Sequence, residues 1–256
     1  MDYRALMDMA VLAGEIMLIS GAEVYRIEDT VNRILKHSGV ENTEVFVLAT
    51  GIFATLSDPS IGAITIVKRV NKRSANLNRI YCVNNISRLF CNDELEVEDA
   101  KDELKKISVE IQYGPLKKSV GYVMTPTFFA VLFGGTIRDC VAAAIVGVIL
   151  ALTEYWVSKL RFNDFCLNAS AAFFITMAAL FLRAVTFPML NVDAVIISAI
   201  MPLVPGVTFT YAIRDTLNGD YSSGSARIVE AIVVALAVAS GVGVGMLVFP
   251  LLGGVL

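Results

Sequence analysis

Charged side chains are concentrated in the first half of this 256-residue chain, which limits the folds open to it. Residues 1–118 carry 32 of the 45 charged residues, and residues 119–256 carry 13. The second half contains uncharged runs at 119–137, 140–153, 165–182, 194–213 and 231–256. About 20 uncharged, mostly apolar residues suffice for a helix that crosses a bilayer. We therefore predict a membrane bundle of about five transmembrane helices (119–256), preceded by a small cytoplasmic α+β domain (1–118).

Composition argues against several classes of protein. The net charge is −3, and no basic patch interleaved with aromatic residues suggests nucleic-acid binding. The four cysteines show no CxxC spacing, and the chain has a single histidine, His37. Because no HExxH or GxSxG motif accompanies that histidine, we expect no metal, no cofactor and no catalytic residues.

The basic residues predict an orientation. The N-terminal sequence lacks the basic start and apolar core of a signal peptide, which favours a cytoplasmic N-terminal domain. Five alternating spans then place six basic residues in inner segments and two, Arg138 and Arg183, in outer ones. This agrees with the positive-inside rule and puts the C-terminus outside.

The first half shows helical and then strand periodicity. Apolar residues recur at helical spacing over 3–19 and again from Val24 to Leu35, where His37-Ser38-Gly39 predicts the helix end. Alternating segments predict strands at 43–50, 51–57 and 62–70, followed by helices at 75–91 and 96–111.

Charged residues at the start of the second helix allow two interpretations. Ser20 and Glu23 fit a capping box, in which Glu23 reaches back to the Ser20 amide. Asp29 and Arg33 fit an exposed i,i+4 ion pair. The alternative is a gating role beneath the pore for Glu23, Arg26 and Glu28.

The fourth uncharged run is interrupted near its middle by Pro202, Pro205 and Gly206. The prolines deprive the carbonyls of Ser198 and Met201 of their usual donors. Broken helices at mid-membrane depth commonly form transporter substrate sites, although a plain proline kink is the alternative. Pro126 interrupts the first run similarly, and the two breaks would line a polar path if they face each other.

Few charges lie near the predicted spans. Arg183 is a candidate for attracting a carboxylate substrate, and Glu154 and Asp193 are candidate proton carriers, with interfacial pairing as the alternative for each. The loop after the fourth run is densely polar. It either fixes the helix ends or closes an inner gate, and its candidate residues are Arg214, Asp215, Gly219, Asp220 and Arg227.

Two segments resemble signatures of the threonine/serine exporter family. They are GAEVYRIEDTVNRI (21–34) and PGVTFTYAIRDTLNGDYSSGSAR (205–227), in the expected order. The resemblance implies an inner-membrane, multi-pass exporter of threonine, serine or a small dicarboxylate such as succinate. The resemblance also implies which positions are signature residues: Glu23, Arg26, Glu28, Pro205, Gly206, Arg214, Asp215, Gly219, Asp220 and Arg227.

Fused members of that family continue into a further membrane unit, whereas this chain ends at Leu256. It therefore resembles the larger subunit of the split form, whose partner is a smaller membrane protein, and a homo-oligomer is also compatible. We expect proton-coupled export of a small molecule across the lipid bilayer. The rival hypotheses are a membrane-tethered hydrolase or signalling domain and a subunit that only stabilises a partner's pore.

Overall fold

The computed structural model describes residues 2–40, 42–71, 73–159 and 163–253. The chain forms two compact units. The first comprises Met1–Glu110 and Val207–Val229, and the second comprises Ile111–Gly206 and Glu230–Leu256. Residues 207–229 therefore pack with the N-terminal part of the chain. The division into a soluble and a membrane domain at residue 118 stays a prediction.

The first unit begins with two helices at the predicted places, α1 (Tyr3–Ile19) and α2 (Val24–Lys36). The Asp2 carboxylate caps α1 by accepting bonds from the first free amides of the helix. At the other end of α1, Gly21 has a φ of +80°, which glycine adopts without a Cβ clash. This conformation lets the chain reverse into α2.

The strands follow as an antiparallel meander in the order β1 (Asn42–Leu48), β2 (Gly51–Asp58) and β3 (Gly62–Arg69). Side chains alternate between the two faces of the sheet. On β2, Ile52, Ala54 and Leu56 are fully buried, while Phe53 on the other face is 40% exposed. The meander therefore contributes one apolar face to the core.

Two further helices, α3 (Leu77–Cys91) and α4 (Val97–Val109), complete the N-terminal part of the first unit. Both were predicted. Helices α1–α4 and the inner face of the sheet enclose one apolar core. Its fully buried members include Leu6, Met9, Met17, Ile27, Ile34, Leu56 and Leu104.

The rest of the chain is helical. Its elements are α5 (Pro115–Leu132), α6 (Ile137–Lys159), α7 (Asp164–Val185), α8 (Val192–Ile200), a 3₁₀ turn (Met201–Leu203), α9 (Gly206–Leu217) and α10 (Tyr221–Leu251). The mostly helical fold with a small antiparallel sheet is thus confirmed.

Three helices are long and apolar enough to cross a membrane: α6 over Ile137–Val157, α7 and α10. A fourth candidate is the pair Val192–Leu203 and Gly206–Leu217, which is bent by 56°. Helix α5 is not among them, and its 18 residues include Lys117 and Lys118. The described residues therefore contain three or four candidate spans, and the predicted five are not confirmed.

Glycines allow close helix packing in the second unit. A Cβ on Gly241 of α10 would collide with the Ala169 carbonyl of α7, and one on Gly245 would lie 2.9 Å from the Thr176 Cβ. By contrast, a Cβ on Gly243 would meet nothing within 4 Å. The α7–α10 contact therefore requires glycine at two of these three positions.

Candidate functional site

Glu23 precedes α2 and is held by arginines on both sides. Its side chain is only 3% exposed, and burying a carboxylate without a partner is strongly unfavourable. Oε1 accepts a hydrogen bond from Nη1 of Arg214, and Oε2 lies 3.5 Å from Nη1 of Arg26. Both guanidinium groups are about half exposed. The buried charge of Glu23 is thus neutralised by two groups that still reach water.

Asp215, on α9, binds the N-terminus of α2. Its Oδ1 accepts from the backbone N–H of Val24 at 3.2 Å, across 191 residues of sequence. The first N–H groups of a helix lack partners within the helix and favour a nearby negative charge. Asp215 therefore caps a helix that is remote from it in the chain.

Arg227, in the second turn of α10, completes this arrangement. Its Nη2 donates to the Ala22 carbonyl at 2.7 Å, and its Nε lies 3.0 Å from Oδ2 of Asp215. Both side chains of this ion pair are buried. We call Glu23, Arg26, Arg214, Asp215 and Arg227 the carboxylate–arginine cluster. All five belong to the first unit.

The capping box predicted at Ser20–Glu23 is wrong. The Ser20 amide donates to the Ile16 carbonyl at the end of α1, and the Glu23 side chain makes no capping bond. The capping box does not form because Arg214 of α9 binds the Glu23 carboxylate, which would otherwise accept from the Ser20 amide. The predicted Asp29–Arg33 pair is confirmed, with Oδ2 and Nη2 2.7 Å apart.

Glu28 lies five residues after Glu23, on α2. Its Oε1 accepts from the Val47 amide at 2.9 Å, which joins α2 to β1. Burial raises the pKa of the Glu28 carboxyl, the Val47 amide lowers it, and the charge of Asp220 raises it. Asp220 lies between α9 and α10, next to Gly219, which turns the chain with a φ of +94°.

The break after α8 occurs at the predicted prolines, but its carbonyls have donors. The Ser198 carbonyl accepts from the Met201 amide, and the Met201 carbonyl accepts from the Val204 amide at 3.2 Å. The carbonyls lose their usual helical donors, as predicted, and a 3₁₀ turn, which bonds one residue earlier than an α-helix, supplies other donors. A role in substrate binding for Ser198, Met201, Pro202, Pro205 and Gly206 stays a prediction.

An apolar groove of about 460 Å³ lies beside this break in the second unit. Its walls are the chain at Ile200, Val204 and Pro205 and the face of α10 that carries Ala239 and Gly243. Every lining residue is apolar or glycine, so the groove offers contact area without a fixed charge.

Pro126 is buried within α5, which packs against α8 and the 3₁₀ turn. The helix continues through Pro126, so the predicted interruption of the first run is wrong, and an unbroken α5 lies beside the break after α8. A Cβ on Gly147 of α6 would lie only 2.6 Å from the Tyr122 carbonyl, the one that Pro126 deprives of its donor. The Thr127 hydroxyl donates to the Val123 carbonyl at 2.8 Å.

The other predicted charged residues lie in separate helices of the second unit. Arg183 is half-buried in the last turn of α7, Glu154 is half-buried in α6, and Asp193 is exposed in the first turn of α8. Substrate attraction by Arg183 and proton transfer by Glu154 and Asp193 stay predictions.

Asp139 is a residue whose importance the sequence did not reveal. It is 2% exposed in the first turn of α6. Its Oδ2 accepts from the Thr136 amide and hydroxyl at 2.6 and 2.8 Å, and its Oδ1 accepts from the Asn191 amide at 2.8 Å. Asp139 thus connects the start of α6 to Asn191, the residue before α8, by a hydrogen bond. Only the contact with the Asn191 amide joins residues that are far apart in the sequence.

His37 ends α2, as predicted. Its Nε2 lies 3.0 Å from Oδ1 of Asp93, and its ring packs edge-on against Phe90. Among the described residues, no three histidine, cysteine or acidic side chains are grouped to hold a metal ion.

The apolar helices and the small sheet-containing unit define a multi-pass membrane protein. The chain belongs to the ThrE threonine/serine exporter family, whose model matches residues 8–249. The expected family resemblance is therefore confirmed. No solved structure matches the chain significantly.

Three curated relatives illustrate the similarity. The threonine/serine exporter of Corynebacterium glutamicum is 24% identical over 253 residues, and the probable threonine/serine exporter of Mycobacterium tuberculosis is 21% identical over 247. Each alignment covers 96% of this chain but 51% and 46% of the relatives, so this chain spans about half their length. The probable succinate transporter subunit YjjP of Escherichia coli is 24% identical over 269 residues, with 98% of both chains covered.

All three relatives carry the names of transporters or exporters, not of enzymes. This agrees with the expectation that the chain is not an enzyme.

Proposed function

We propose that this chain is a subunit of an inner-membrane exporter for threonine, serine or a small dicarboxylate such as succinate. The family match and the names of its relatives support this substrate class. The YjjP relative, which is named a subunit and aligns along its whole length, supports a second component. We take that component to be a smaller membrane protein.

The proposed topology has five spans. Helix α5 would be the first, α6 and α7 the next two, the bent pair α8–α9 the fourth, and α10 the fifth. The excess of basic residues in alternate segments supports a cytoplasmic N-terminal domain and an external C-terminus. Lys117 and Lys118, in the first turn of α5, would then lie at the cytoplasmic surface.

The carboxylate–arginine cluster carries the mechanistic part of the proposal. Helix α9 begins directly after the break, and its Arg214 and Asp215 bind Glu23 and the Val24 amide. Movement of α9 about the break and away from α2 would have to separate these groups. We propose that the cluster is the inner gate, closed when the contacts form and open when they part.

The electrostatics of the cluster suit a gate that opens reversibly. The two arginines that bind the buried Glu23 carboxylate are half exposed, so water solvates the guanidinium of Arg214 when it leaves, and Arg26 stays beside the carboxylate. The Arg227–Asp215 pair is buried and more costly to break. We infer that Arg214 is released during opening, while Arg227 keeps Asp215 in place.

We assign attraction of the substrate to Arg183. We also propose that export is coupled to a proton gradient. Arg183 interrupts a long apolar stretch, so its guanidinium suits a substrate carboxylate. Glu154 and Asp193 would carry the proton. Charged residues within membrane segments are rare and commonly mark such pathways.

Counterflow in proteoliposomes tests the function. Vesicles containing this chain, the smaller partner or both would be loaded with unlabelled threonine, serine or succinate and given the labelled compound outside. We expect accumulation of at least one of the three only when both proteins are present. Equal accumulation with the partner alone would contradict the proposal, because this chain would then contribute nothing to transport.

A further inference from the structure

A polar groove of about 470 Å³ runs between α2 and α3 in the first unit. Its residues recur at helical spacing, so one face of each helix forms one wall. The α2 wall consists of Tyr25, Arg26, Asp29, Thr30 and Arg33, and the α3 wall consists of Asn84, Ser87 and Arg88. We call this the α2–α3 groove.

The floor of the groove is made of buried polar groups. Thr30 and Ser87 are 5% and 4% exposed. The Thr30 hydroxyl donates to the Arg26 carbonyl at 2.8 Å and lies 3.3 Å from Oδ1 of Asn84. Asn84 is thereby oriented by a neighbouring helix, and hydroxyl and amide groups at the base of a cleft fix the position of a polar ligand.

The rim of the groove has an excess of positive charge. Arg33 is paired with Asp29 at 2.7 Å, and Arg26 has only a 3.5 Å contact with Glu23. Within the part of the chain that the structure describes, Arg88 forms no ion pair. Three guanidinium groups therefore face one carboxylate within the groove. A bound dianion would balance the remaining two charges.

We propose that the α2–α3 groove is a binding site for a small dianion, either a dicarboxylate or a phosphate. Guanidinium groups bind carboxylate and phosphate oxygens through paired N–H donors, which an ammonium group does not offer. A dicarboxylate would place one carboxylate at Arg88 and the other at Arg26 or Arg33. The Asp29 carboxylate disfavours more highly charged anions.

Arg26 connects this site to the carboxylate–arginine cluster. It lines the groove and also lies 3.5 Å from Glu23. A dianion that binds Arg26 competes with Glu23 for the same guanidinium, and binding and gating are then coupled in both directions. Binding itself does not depend on the proposed transport function and is measurable in protein that transports nothing.

Titration calorimetry on the full chain in nanodiscs of zwitterionic lipid tests the site. The probes are succinate and inorganic phosphate, with acetate as a monoanion. Arg88→Gln removes a positive charge from the groove, and Asp29→Asn removes the negative charge of Asp29. Arg4→Gln, which changes an exposed arginine of α1 outside the groove, is the matched control.

We expect saturable binding of succinate or phosphate that is at least about tenfold tighter than binding of acetate. R88Q should weaken it about tenfold, D29N should strengthen it severalfold, and R4Q should leave it unchanged. These opposite shifts separate a charge effect from a loss of structure. Saturable binding of neither dianion, or affinities that R88Q and D29N leave unchanged, would overturn the proposal. Whichever dianion binds tighter identifies the ligand as a dicarboxylate or a phosphate.

Discussion

Arg227 and Asp215 form a buried ion pair in which Nε and Oδ2 are 3.0 Å apart. Each member also binds the segment before α2, Arg227 through the Ala22 carbonyl and Asp215 through the Val24 amide. The pair therefore joins α9 and α10 to the N-terminal helices by main-chain contacts, which do not depend on the identity of residues 22 and 24.

Replacing Asp215 with Asn should destabilise the protein strongly. The amide would leave the guanidinium of Arg227 buried without a counter-charge, and breaking one side of such a pair lowers the free energy of unfolding by about 3 kcal/mol. Asp102→Asn, at an exposed pair with Lys105, should change it much less, because water screens that pair. Equilibrium unfolding in mild detergent, followed by circular dichroism, measures both, and equal effects would contradict the assignment.

Two glycines of α10 should respond oppositely to alanine. In Gly241→Ala the new methyl group collides with the Ala169 carbonyl, and overpacking of this kind lowers the free energy of unfolding by about 1–3 kcal/mol. Gly243→Ala adds a methyl group in open space and should be neutral or stabilising, since alanine favours helices by about 1 kcal/mol. Thermal unfolding of the wild type and the two variants measures these effects. A G241A variant that is more stable than the wild type would contradict the α7–α10 packing.

The raised pKa of Glu28 gives stability a defined pH dependence. The folded protein holds this proton more tightly than the unfolded chain, because burial disfavours the carboxylate. The stabilising contribution is therefore complete below the ordinary carboxyl pKa of 4.5 and is lost as pH rises through the raised value.

Unfolding of the wild type and of Glu28→Gln across this pH range provides the measurement. The free energy of unfolding of the wild type minus that of E28Q should fall as pH rises from about 4 towards neutrality. A difference that stays constant or grows with pH would show that the pKa of the Glu28 carboxyl is not raised in the folded protein.

Much of the first unit was predictable from the sequence. The four N-terminal helices and three strands follow periodicities of 3.6 and 2, and the break after α8 follows from prolines that cannot continue a helix. Such features depend on residues close together in the chain.

The contacts of Glu23 were not predictable in this way. A capping box is a local pattern, whereas the actual partner, Arg214, lies 191 residues away. Asp139 was missed for the same reason, because its contact with the Asn191 amide crosses 52 residues. The signature residues of both segments were identified by resemblance, but their pairing required the structure.

The break between α8 and α9 should be necessary for export. Changing Pro205 and Gly206 together to Ala restores an amide and favours a continuous helix, which removes the hinge about which we propose α9 moves. Export from loaded vesicles with the partner present should fall at least tenfold. Gly243→Ala, also near the apolar groove, serves as the control, and unchanged export by P205A/G206A would rule out a role for the break.

The most direct test of the proposed gate is a double-mutant cycle on Glu23 and Arg214. Substrate efflux from proteoliposomes would be measured without a proton gradient for the wild type, Glu23→Gln, Arg214→Gln and the double variant. If their contact closes the gate, each single change should raise this leak at least about fivefold, and the double variant should leak no faster than either single one. Leak rates at the wild-type level, or single effects that multiply in the double variant, would contradict the account.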